Sequence, residues 1–164
     1  MTVSEGRKAW LATEDGLLLE GRSVGAEGQV SGTLTFDTAM VGYLEAVTNP
    51  DVQGQILVFA MTHIGNYGAN EKDALSESAH ASGVVVREMC FKPSNWTSEE
   101  SFPQYLTRQK VVAIDGIDTR MLTRHIRDKG PLGAVISTHC NDKSTLTALA
   151  REATRKATQE EESL

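Results

Sequence analysis

Four short apolar runs constrain the fold of this chain more than any other feature. They are "QILVFAM" (Gln55 to Met61), "SGVVVREM" with its centre at Val84 to Val86, "VVAI" (Val111 to Ile114) and "LGAVIST" (Leu132 to Thr138). Each has the length of a strand. A strand with one wet face alternates apolar and polar residues, whereas Gln55 to Met61 is continuously apolar and reads as covered on both faces. The valines at 84 to 86 repeat that signal, so a sheet flanked by other elements is required.

The segments between the runs carry helical signals. Asp118 opens "DTRMLTRHIRDKG", where the aspartate caps the first turn and Gly130-Pro131 stops the helix. "DKSTLTALAREATRKA" has an Asp or Ser cap followed by Leu146, Leu149 and Ala153 at helical spacing, and the acidic tail "TQEEESL" has little to bury. The polar span Pro93 to Gln109 carries two aromatic anchors, Trp96 and Tyr105, with a helix expected over Glu99 to Arg108. Val41 to Val47 has room for one or two helical turns, ended at Thr48-Asn49-Pro50 because a residue before proline is pushed out of the α region.

The first quarter reads differently. "KAWLATEDG", "LLLEGRSVG" and "VSGTLTF" are three short strands separated by turn signals at Asp15-Gly16 and at Gly25 to Gly28. Asp-Gly between apolar runs is a strong hairpin cue. Hairpin material followed by alternating strands and helices predicts an α/β domain, with an antiparallel hairpin sheet layered against a mixed sheet with helices. At 164 residues the chain suits one core.

With 40% hydrophobic and 23% charged residues, the composition is that of an ordinary folded protein. A net charge of −6 argues against nucleic acid as a partner, since phosphate backbones are held by clustered Lys and Arg. The segment Met1 to Lys8 holds no apolar run suited to a signal peptide, and no window approaches a membrane span, so a cytoplasmic protein without a membrane partner is expected. Cys90 and Cys140 lie far apart without C-x-x-C spacing and read as reduced thiols. Asn95-Trp96-Thr97 matches the glycosylation pattern by chance in a chain without an export signal.

Catalytic motifs are missing. No serine or cysteine occupies a G-x-[SC]-x-G elbow, no G-x-x-x-x-G-K-[ST] loop occurs, and the glycines of "GAEGQVSG" do not follow the dinucleotide spacing. His63, His80, His125 and His139 are scattered, with no second His or Cys three or four residues on, so no metal site is expected. Cys90 with His80 as its base is one reading of the thiol, while a cysteine between Met89 and Phe91 is far more often packed in a core.

Two features suggest surfaces. At 100° per residue, Arg120, Arg124 and Arg127 share one face of the Asp118 helix, and Met121, Leu122 and Ile126 fall roughly opposite. That stripe reads either as a docking face for an acidic partner or as a solvated face with intrachain pairs, each worth roughly 0–1 kcal/mol. The loop "HIGNYG", His63 to Gly68, reads either as a glycine loop that brings main chain close to a ligand or another chain, with Asn66 tolerating positive φ, or as a plain turn after a buried strand.

"FDTAMVGYLEAVTNP", "THIGNYGAN", "GVVVRE" and "VVAIDGIDTRMLTRHIRDKG" together resemble the N-terminal domain of the small, glutamine-hydrolysing subunit of carbamoyl phosphate synthetase. The four motifs occur in the family's order, and the resemblance runs from about Lys8 to about Ala150. It implies a swivelling β/β/α domain over residues 1–150, with 151–164 as the helix end and an acidic tail leading toward a glutaminase domain absent from this chain. It also implies that the domain has no catalytic residue and joins the glutaminase half to the large synthetase subunit. The complex so resembled makes carbamoyl phosphate from glutamine, bicarbonate and two ATP, for pyrimidine and arginine synthesis. ATP and magnesium would belong to the large subunit, and no cofactor to this chain.

One substrate contact carries over by resemblance. After the Thr-Asp-Pro turn the family places a serine near the bound glutamine, and here Thr48-Asn49-Pro50 is followed by Asp51. A carboxylate there repels the substrate's own carboxylate unless a cation intervenes. The resemblance raises His63, Gly65, Asn66 and Gly68, together with Arg120, Arg124 and Arg127, as interface candidates. A free-standing binding module of the same fold is the alternative, and a small thiol enzyme using Cys90 a more remote one.

Overall fold

The computed structural model describes residues 7–39, 42–92 and 100–162. Its opening hairpin is the one that Asp15-Gly16 announces. Strand β1 (Lys8–Thr13) turns into β2 (Leu18–Ser23), with Trp10 opposite Glu20 and Leu11 opposite Leu19. The third expected strand forms as β3 (Gln29–Asp37). The apolar runs follow as β4 (Gln55–Phe59), β6 (Gly83–Val85), β8 (Val112–Asp115) and β9 (Leu132–Ser137), with the two-residue strands β5 (His63–Ile64) and β7 (Glu88–Met89) between them.

The described strands are mixed with helices, as expected. Seven of them close into one barrel in the order β1-β2-β8-β6-β4-β3-β9, while β5 and β7 pair separately. The hairpin is part of that barrel. Strands β2, β1, β9 and β3 make an antiparallel arc, and β3, β4, β6 and β8 make a parallel one. The second seam, β2 to β8, is antiparallel and consists of two residue pairs, Arg22 with Asp115 and Ser23 with Ile114. Closure removes the exposed edge that an open sheet of these strands would carry.

Burial explains the continuous apolar runs. Along β4, Ile56 and Val58 point into the barrel with Leu11, Leu34, Val85, Val112, Ile114 and Ile136, while Leu57 and Phe59 pack outside with Val84 and Ala113. Both sets are almost wholly buried. Two short helices cover the outer side of the parallel arc, α1 (Tyr43–Thr48) and α2 (Phe102–Arg108). The α1 segment falls within the expected turns, and Asn49 ends it before a single 3-10 turn at Pro50–Val52. For α2 a capping box sets the start, with Gln104 N donating to Ser101 Oγ and Ser101 N donating to Gln104 Oε1. Asn95, Trp96 and Glu99 lie outside the described residues.

Helix α3 (Thr119–Lys129) starts where the sequence places it, with Asp118 Oδ1 accepting from Met121 N at 3.0 Å. Its Leu122 and Ile126 join the interior cluster, so it packs over the barrel. Helix α4 (Lys143–Glu162) passes through Ala150 without a break and lies on β1, β3 and β9. Its contact is close: a Cβ at Gly133 would stand 2.0 Å from Ala150 O. Only glycine fits there. Beyond Ala150 the helix still meets the barrel, since Thr154 Oγ1 donates to Glu14 Oε1 at 2.9 Å. Among the described residues no helix is long and apolar enough to cross a membrane.

Candidate functional site

The four parallel strands end on the same side of the barrel, and their continuations meet there. Thr38 follows β3, Ala60 and Thr62 follow β4, Arg87 follows β6, and Thr119 and Arg120 open α3 beyond β8. With Thr123, Arg124 and Arg127 from the same helix, these residues line a cavity of ≈ 500 Å³. The carboxyl ends of parallel strands are where open α/β sheets place their ligands. Here a charge pattern marks the spot.

Arg120, Arg124 and Arg127 share one exposed face, while Leu122 and Ile126 are buried and Met121 is half-buried, as the helical spacing predicts. The pairing alternative finds no support among the described residues, because none of the three stripe arginines forms an ion pair there. The Arg127 guanidinium lies 5.5 Å from the centre of the Phe36 ring. The sequence reading missed Arg87. Its only signal was position, the first charge after the buried valines of β6. Its guanidinium approaches Asp118 at a loose 3.9 Å.

The "HIGNYG" loop begins one residue beyond the cavity wall at Thr62. Its first two residues form β5 against β7, and His63 Nδ1 lies 3.3 Å from Glu88 Oε2 with both side chains largely exposed. Gly65 and Gly68 take positive φ, +98° and +69°, whereas Asn66 does not. The expected left-handed role therefore falls on the glycines alone. A Cβ at Gly65 would lie 3.0 Å from Cys90 O and 3.3 Å from Phe102 Cβ, so the loop sits tight on the core. Buried Tyr43 pins its far end: Tyr43 Oη donates to Gly68 O at 2.6 Å and accepts from Tyr67 N at 3.0 Å. Burial pushes the Tyr43 phenol well above its usual range, which keeps it a donor. Tyr67 itself is 48% exposed.

Asp51 lies in the 3-10 turn, exposed, with its amide donating to Asn49 Oδ1 at 2.9 Å. No ion pair holds its carboxylate among the described residues. Cys90 is half-buried and its Sγ donates to Lys92 O, whereas the His80 ring meets Gln53 Oε1 at 3.1 Å, so the two side chains have separate partners. His125 pairs with Asp15 at 2.6 Å on another face. Among the described residues no group of three or more His, Cys, Asp or Glu is arranged to hold a metal ion.

The family model described as the carbamoyl-phosphate synthase small chain, CPSase domain, matches residues 11–136. Over 146 residues the chain is 47% identical to the carbamoyl phosphate synthase small chain of Aquifex aeolicus, covering 89% of this chain and 39% of that one. The small chain of Lawsonia intracellularis is 46% identical over 139 residues, 85% of this chain and 37% of its own length. That of Archaeoglobus fulgidus is 46% identical over 145 residues, 88% and 40% of the two chains. This chain thus spans about two fifths of the length of these relatives.

Proposed function

Because the chain belongs to the carbamoyl-phosphate synthase small-chain family, we propose that it is a non-catalytic assembly domain of that enzyme. It corresponds to the N-terminal domain of the small subunit, residues 1–150, and joins a glutaminase half to the large synthetase subunit. The tail beyond 150 leads toward that half. The complex makes carbamoyl phosphate from glutamine, bicarbonate and ATP in the cytoplasm, supplying pyrimidine and arginine synthesis, with ATP and magnesium held by the large subunit. The observation that carries this reading is the extent of the family match, residues 11–136, which runs from within β1 to within β9. The barrel's antiparallel and parallel arcs are read as the two sheet layers of a swivelling β/β/α arrangement.

Two neighbouring surfaces are proposed for docking. One is the loop from His63 to Gly68, where half-buried Asn66 and exposed Tyr67 lie between two glycines. The other is the arginine face of Arg120, Arg124 and Arg127. Guanidinium groups stay charged at interfaces and grip carboxylates in pairs of parallel hydrogen bonds. By resemblance to the family, Asp51 would stand near the glutamine site, where it departs from the family's serine. The test replaces Arg120, Arg124 and Arg127 with glutamine and follows association with the large subunit over a range of salt. A weaker, less salt-sensitive association supports the stripe, and unchanged affinity with intact folding removes it. Ammonia release from glutamine by this chain alone would instead favour the Cys90 enzyme.

A further inference from the structure

We propose that the cavity bounded by Arg87, Arg120, Arg124 and Arg127 is a binding site for a phosphate-type oxyanion. The proposal goes beyond the docking reading and does not depend on it. Its basis is convergence: arginines from two elements, Arg87 after β6 and Arg120, Arg124 and Arg127 of helix α3, line one concavity of ≈ 500 Å³. A flat docking stripe needs no such concavity, whereas a compact multivalent anion needs several forks aimed at one volume.

The electrostatics favour the same ligand. The chain carries a net charge of −6, yet no carboxylate is among the residues lining this cavity. Asp118 and Glu88 adjoin Arg87 outside the lining, where Asp118 is occupied as the α3 cap and sits 3.9 Å from Arg87 and Glu88 faces His63. Clefts lined by one sign of charge focus the field and concentrate the counter-ion. The first residues of α3, Thr119 and Arg120, add the positive end of an 11-residue helix to the wall. Thr38 and Thr62 contribute exposed hydroxyl donors, while the Thr123 hydroxyl is committed to Thr119 O. The continuations of all four parallel strands supply the wall, which is the usual place for an anion in a parallel sheet.

The test titrates this chain, without any partner, with inorganic phosphate and with pyrophosphate by calorimetry in low-chloride buffer near neutral pH. One saturable site per chain is expected, tighter for pyrophosphate and weakened by added salt. Arg87→Gln and Arg124→Gln each weaken it about tenfold or more, since each removes a charge-assisted contact. Arg155→Gln, on the exposed face of α4 beside Glu152, leaves the affinity unchanged. Circular dichroism checks folding, and should the helix variant misfold, Arg87→Gln, which lies outside α3, decides. The absence of a saturable site overturns the proposal, as does parent-like affinity in the two cavity variants or an equal loss in Arg155→Gln. If phosphate fails to bind while the triple glutamine variant still loses the large subunit, the docking reading stands and the anion site falls.

Discussion

Arg22 holds Asp115 in a bidentate pair across the two-residue seam that closes the barrel. Its Nε donates to Asp115 Oδ1 at 3.1 Å and its Nη2 to Oδ2 at 2.7 Å, while Met89 N donates to the same Oδ2 at 3.3 Å. Asp115 is 2% exposed. Arg22→Ala is expected to cost about 2 to 3 kcal/mol, below the full cost for a wholly buried pair because the arginine itself is partly in water. Adding Asp115→Ala should recover part of that loss by removing the stranded charge. Urea denaturation of the two variants checks this. A double variant less stable than Arg22→Ala would contradict it.

Asp15 gives the barrel an acid limb. Burial alone would raise its carboxyl, but the Thr13 hydroxyl and then the hydrogen bond and charge of the His125 ring outweigh that, so it titrates below its ordinary 3.8. Lys129 Nζ stands 3.8 Å away on the same side. A lowered folded pKa means that the ionised group stabilises the fold above pH 3.8 and that this contribution is lost as pH falls through the folded value. Asp15→Asn should therefore flatten the fall in melting temperature below pH 4. The same slope in variant and parent would refute it.

Tyr43 fixes the loop that follows β4. Replacing it by phenylalanine leaves Gly68 O and Tyr67 N without their shared partner, at a cost of about 1 to 3 kcal/mol. Amide exchange at Tyr67 and Gly68 should accelerate while the β4 and β6 amides stay protected. Uniform acceleration would mean that the hydroxyl supports the whole fold.

Gly133 sets how closely α4 approaches β9. Gly133→Ala forces its methyl against Ala150 O, and overpacking of that kind costs about 1 to 3 kcal/mol. The urea midpoint should fall with little change in slope. An unchanged midpoint would mean that the helix moves aside freely.

Local signals were legible in the sequence where local physics decides. The caps of α3, the Asp15-Gly16 hairpin and the unbroken apolar runs of β4, β6, β8 and β9 all appear in the structure near their expected places. Barrel closure was not legible, because the β2 to β8 seam joins residues 93 apart through a charged pair and two ladder positions. Nothing in "EGRSVG" names its partner. Three of the four cavity arginines could be found by helical periodicity, whereas Arg87 enters through sheet order alone. The Asn66 expectation failed for a different reason: two flanking glycines absorb the turn.

The proposed role of this barrel is to be covered by a larger chain. Sedimentation of the purified chain mixed with the large synthetase subunit of the same source tests it most directly. One faster species at equal molar ratio, weakened by salt, is expected. Two folded proteins sedimenting independently at low salt would contradict it.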